Sequence, residues 1–163
     1  LSPPNWATWR RQIRTYDYNI IHFISPVYFD ETTAEASIAL EDKGNSSGSQ
    51  PLKISHFGDE LGKNTTVRLV ILNLHNATLR ELTSTGQHLT ERSAVSGISC
   101  GLMNLNARQV FIKRLYHELC AFQPLDTVVT LARQQLADNI NTFDWARSIV
   151  FSQAPQARLF RPC

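Results

Sequence analysis

With 163 residues, 42% of them hydrophobic, the chain is long enough to bury one core and reads as a single domain spanning 1–163. Sixteen Lys and Arg against 14 Asp and Glu leave a formal net charge of +2, too weak a field to imply nucleic acid as a partner. No apolar run approaches the ~20 residues of a membrane span, and the opening "LSPPNWATWRR" has neither a basic n-region nor an apolar h-region, so no membrane contact is expected and the compartment reads as cytoplasmic.

In chain order, "NWATWRRQIRTY" places Trp6, Trp9 and Ile13 on one helical face and Arg10, Arg11 and Arg14 on another, with Asn5 or Ser2 as the N-cap. "YNIIHFI" is a near-continuous apolar run, the pattern of a strand buried on both faces of a parallel sheet, and it leads into a turn at Ser25, Pro26 and Val27. "ASIALED" alternates as a second strand. The flexible "GNSSGSQ" and extended "PLKI" that follow predict a hairpin. "SHFGDELGK" predicts a short helix from an N-cap at Ser55 to Gly62, ahead of a central strand, "TVRLVILNL". The stretch "HNATLRELTSTGQHLTER" is partly helical, and "SAVSGIS" is a short strand running into Cys100. Two helices follow. "NARQVFIKRLYHELCAF" spaces Val110, Phe111, Leu115, Leu119 and Phe122 along one face, and "PLDTVVTLARQQLADNI" starts with Pro124 near its first turn. "ARSIVFS" is the last strand. This order predicts an α/β fold, a three-layer sandwich with a mainly parallel central sheet.

Cys100, Cys120 and Cys163 cannot all pair within one chain, and their spacing matches neither a zinc ribbon nor a disulfide framework, which suits reduced thiols. Sequons at Asn45, Asn64 and Asn76 open a secreted-glycoprotein alternative, although such triplets arise often by chance in Asn-, Ser- and Thr-rich loops. There is no Gly-rich phosphate loop and no ligand cluster, so no cofactor or metal is expected.

The segments "YNIIHF", "YFDE", "SIALED", "VRLVILN", "LYHEL", "PLDTVVTLARQQLA" and "DWARSIVF", in that order, resemble the CHAT domain, a caspase-like (haemoglobinase-like) cysteine peptidase module of clan CD. The resemblance covers nearly the whole chain and implies a caspase-like sandwich, excised from a longer multidomain protein in which an upstream sensor or repeat domain controls it. It also implies a histidine base in a Gly-His-Gly turn after the first strand and a cysteine nucleophile after the "VLN" strand. This chain departs at both places. Pro26 stands where the base is expected, with Ser25 and Val27 for the glycines; His75 stands where the nucleophile is expected, and Thr78 replaces a turn glycine. Since the two members of such a unit act together, either loss removes most of the rate.

The expected function is therefore that of an inactive, pseudo-peptidase module that binds a protein or peptide for signalling or scaffolding. A retained groove would draw on His22, Ser25, Asn73, His75, Asn76 and Cys100, and the acidic pair Glu41 and Asp42 offers a place for a basic peptide end. The enzymatic alternative is a displaced dyad of Cys100 with His75 or His22. For Cys100 the bland reading is a small buried hydrophobe, and for His22 a structural histidine bonded to a backbone carbonyl. His56, His88 and His117 read as solvent-facing.

Overall fold

A computed structural model describes residues 5–41, 49–64, 66–75, 77–101, 103–139, 143–154, 156 and 158–161, without the side chains of Glu41 and Ser49. Ser2, Asp42, Asn45, Asn76 and Cys163 lie outside the described residues.

The chain forms α1 (Trp6–Thr15), β1 (Ile20–Asp30), β2 (Glu35–Glu41), β3 (Ser49–Lys53), α2 (Ile54–Gly62), β4 (Leu69–His75), α3 (Leu79–Arg92) and β5 (Ser96–Gly101). After these come α4 (Leu105–Cys120), α5 (Leu125–Asn139), a 3-10 turn (Phe143–Arg147) and β6 (Ser148–Phe151). The strands make one six-stranded sheet in the order β3-β2-β1-β4-β5-β6. Its core is parallel, β1 with β4 and β4 with β5, while β2, β3 and β6 join antiparallel. The fold is thus α/β with a mixed sheet. The expected hairpin is the β2/β3 pair, in register at Leu40 and Gln50.

Strand β4 is where the two halves of the core meet. Leu69 to Leu74 are all buried, and alternation sends them to opposite faces. Val70, Leu72 and Leu74 pack with Ile21 and Phe23 of β1 and with Trp9, Phe57, Leu61, Leu82 and Leu89 from α1, α2 and α3. Leu69 and Ile71 pack with Ile98 of β5 and with Phe111, Leu115, Val128, Ala132 and Leu136 from α4 and α5.

Helix α1 is held in two ways. Asn5 Oδ1 accepts from Thr8 N at 2.8 Å and starts the helix, and Trp9 stacks on Trp6 and meets Phe57 with ring centres 4.8 Å apart. On the polar side Glu60 of α2, only 4% exposed, accepts from Arg14 and is ion-paired with Arg10 and Lys63. Burial alone would raise this carboxyl; the Arg14 hydrogen bond and the three cations outweigh it and hold the group below its ordinary range. Arg10 and Arg14 therefore act within the fold.

Several boundaries differ from the sequence expectation. No turn interrupts β1 at residues 25–27: the strand continues to Asp30 and changes partner, leaving its parallel ladder with β4 at Pro26 for an antiparallel one with β2 from Val27. Ser55 is not a cap; α2 starts at Ile54, and the carboxylate of Glu35 on β2 accepts from the Ser55 backbone N–H at 3.0 Å. Helix α3 is continuous because Thr78 and Glu81 close a capping box at its start. Phe122 is outside α4, with φ of 56°, and its N–H bonds Leu119 O at 3.0 Å in a left-handed helix ending. Asn64 is tied into the fold: Nδ2 donates to Ile13 O at 2.7 Å, and Oδ1 accepts from Thr66 N at 2.9 Å and Val67 N at 3.1 Å.

Gly86 marks the tightest seam. A Cβ built there would lie 1.9 Å from the Phe151 ring, so α3 meets β6 at a distance only glycine allows. Gly86→Ala is expected to lower stability by about 1–3 kcal/mol in urea unfolding. Truncating the ring as well, in Gly86→Ala with Phe151→Leu, is expected to cost less than the two single losses added; simple additivity would refute the contact.

Candidate functional site

Of the positions singled out from the sequence, Pro26, Asn73, His75 and Cys100 come together at the carboxyl end of the parallel ladders. In the β1/β4 ladder Ile24 pairs with Asn73, Ser25 with Leu74 and Pro26 with His75; in the β4/β5 ladder Asn73 pairs with Cys100. Pro26 and His75, the two places where the resemblance expects a base and a nucleophile, are direct register neighbours. Because side chains alternate, the residues Ile24, Pro26, Asn73, His75 and Cys100 share the α4 face of the sheet.

Ser25 faces the other way. It is buried, its Oγ accepts from Ala39 N at 3.0 Å and lies within hydrogen-bond distance of Ala39 O (2.8 Å) and Pro26 O (2.9 Å). This hydroxyl bridges β1 to β2 beside a proline that has no N–H to offer the ladder. It is a structural group and does not join the others.

His22 is on the α4 face, but four residues before Pro26, roughly 13 Å along an extended strand. Its Nδ1 lies 3.1 Å from Tyr116 Oη, a hydroxyl in place of the expected backbone carbonyl, and burial lowers its pKa. The imidazole is thus kept neutral and distant. His56 and His117 are exposed as expected, whereas His88 is half-buried and its Nδ1 meets Ser84 O at 2.8 Å.

His75 is exposed at the end of β4, and its Nδ1 lies 3.2 Å from Arg108 Nη1 on α4. A guanidinium only donates, so Nδ1 is the acceptor and the ring proton sits on Nε2, facing outward. Arg108 also donates through Nη2 to Met103 O at 3.2 Å. It is positioned by the first turn of α4, which Asn104 caps through a 2.8 Å bond from Ala107 N. Sequence reasoning missed Arg108, because nothing along the chain ties position 108 to position 75.

Cys100 is 1% exposed, and burial pushes its thiol up to about 12 despite the opposing charges of Arg108 and Arg133. Only about one molecule in 10⁵ would carry a thiolate there at neutral pH. No hydrogen bond links it to His75: the two Cα atoms are diagonal neighbours, roughly 8 Å apart by strand spacing and rise, and Nδ1 of the ring is engaged by Arg108. The geometry does not assemble the displaced dyad. Asn73, 3% exposed, keeps a buried Oδ1 with no partner among the described residues. Among those residues no group of His, Cys, Asp or Glu is arranged to hold a metal ion.

Two measurements follow from the burial of Cys100. With iodoacetamide near neutral pH, exposed Cys120 is expected to react in the native protein and Cys100 only after unfolding; rapid native labelling of Cys100 would contradict its placement. The thiol rises from 9.0 to about 12 on folding, so its stabilising effect is complete below 9.0 and lost as pH climbs toward 12. Across that window the folding equilibrium of the wild type is expected to weaken by up to about tenfold per pH unit more than that of Cys100→Ala. No family model matches the chain, and no curated protein matches it, so the functional reading rests on these residues.

Proposed function

We propose that the chain is a catalytically inactive, caspase-like module of the CHAT type, a three-layer sandwich that binds a protein or peptide segment at the carboxyl end of its sheet. The observation that supports this most is the register pairing of Pro26 with His75. A peptidase of this design needs a base and a thiol at these two paired positions; here one has no titratable group and the other has an imidazole already bonded to Arg108. The cysteine on the next strand is buried and protonated, which supports a binding role over a displaced-dyad peptidase. The two helix-packed clusters on opposite sides of the sheet support the three-layer arrangement. In this reading an upstream sensor or repeat domain of the parent chain governs access to the site, and the module works in the cytoplasm. Among the described residues no helix is long and apolar enough to cross a membrane.

Incubating the chain with a pooled peptide library and reading both bound and free peptides by mass spectrometry tests this. Intact peptides retained by the protein are the expected result. New peptide termini that vanish with Cys100→Ala would replace this reading with the peptidase.

A further inference from the structure

Helix α4 packs on β4 and β5 and reaches β1 at Tyr116, leaving Ile24 uncovered. Two contacts fix its path: Arg108 to His75, beside Pro26, and Tyr116 to His22 further back along β1. Ile112 lies midway between Arg108 and Tyr116 on the same helical stripe, yet Ile24, in the strand row between those contacts, is 63% exposed. Pro26 is exposed on the same strand face, and Leu105, one turn before Arg108, is exposed on the helix. Between Ile24 and Pro26 on β1 and Arg108 and Leu105 on α4 lies an exposed strip, the trough.

Ile24 and Pro26 make its strand side apolar, and the guanidinium of Arg108 makes the helix side positive. Arg108 donates to an imidazole nitrogen and a backbone carbonyl, both uncharged, and no carboxylate among the described residues pairs with it. Beside it the outward N–H of His75 is a second donor. A small inorganic anion would satisfy these donors and leave Ile24 and Leu105 in water, while a purely apolar segment would bury the guanidinium without a counter-charge.

We infer that this trough docks a segment of a partner protein in which a carboxylate is adjacent to a branched or aromatic apolar side chain. The carboxylate meets Arg108 and His75, and the apolar group lies on Ile24. This rests on the binding-module reading of the same site and names the chemistry of its partner.

The probes are peptides selected on the immobilised full chain from a random phage-displayed library, then synthesised and titrated against wild type, Ile24→Ser, Arg108→Gln and Arg108→Lys. Ile24 is exposed, so Ile24→Ser leaves the fold intact, and thermal melting checks all variants. Selected peptides are expected to share an Asp or Glu beside an apolar residue and to bind more weakly as salt rises. Arg108→Gln and Ile24→Ser are each expected to weaken binding by about tenfold or more, and Arg108→Lys by less. Peptides that bind all variants equally would overturn the trough and leave the binding module standing. A library that yields no binder would overturn both. Self-association of the wild type that disappears in Ile24→Ser would assign the trough to a second copy and overturn the acidic segment.

Discussion

Everything in this molecule is referred to β4. A strand buried from Leu69 to Leu74, hydrogen-bonded in parallel on both edges, fixes the positions of β1 and β5 to single-residue precision, because a slip by one would turn Val70, Leu72 and Leu74 toward the α4 side and strand their partners. The same register decides which polar groups become neighbours at the carboxyl end. Pro26 meets His75, and Cys100 meets Asn73, as a by-product of packing the aliphatic rows below them.

That end of the sheet separates two kinds of polar residue. Ser25, Glu35 and Glu60 are buried with partners that tie strands and helices together, each answering a specific deficit: a proline in a ladder, an uncapped helix, a helix to be docked. His75 is exposed and Arg108 half-buried, and no carboxylate among the described residues answers their donors. The distinction is one of desolvation, since a buried polar group without a partner destabilises the fold and an exposed one does not. Groups of the second kind are free to take part in binding. Cys100 belongs with neither; its thiol behaves as a small apolar group in the α4 and α5 core.

The helical faces of α1 and α5, the alternating strand β2 and the hairpin were legible in the sequence because each is a local pattern of period 3.6 or 2. The identities at positions 26 and 75 were equally legible: a proline and a histidine stand where the resemblance to the CHAT domain expects a base and a nucleophile. The capping of α2 by Glu35 was not, because the carboxylate comes from another strand. Nor was the length of β1, whose Ser25 and Pro26 read as a turn until Ala39 supplied the hydroxyl's partner.

The amino-acid order by itself determined an α/β chain with one strongly apolar central strand, a proline at position 26 and a histidine at position 75. Only the tertiary structure decided the mixed sheet, the burial that keeps Cys100 protonated, and the meeting of Arg108 with His75. Local periodicity sets which face of an element is apolar, whereas the partners of a polar atom depend on chain segments tens of residues away, and those are chosen by how the apolar faces pack.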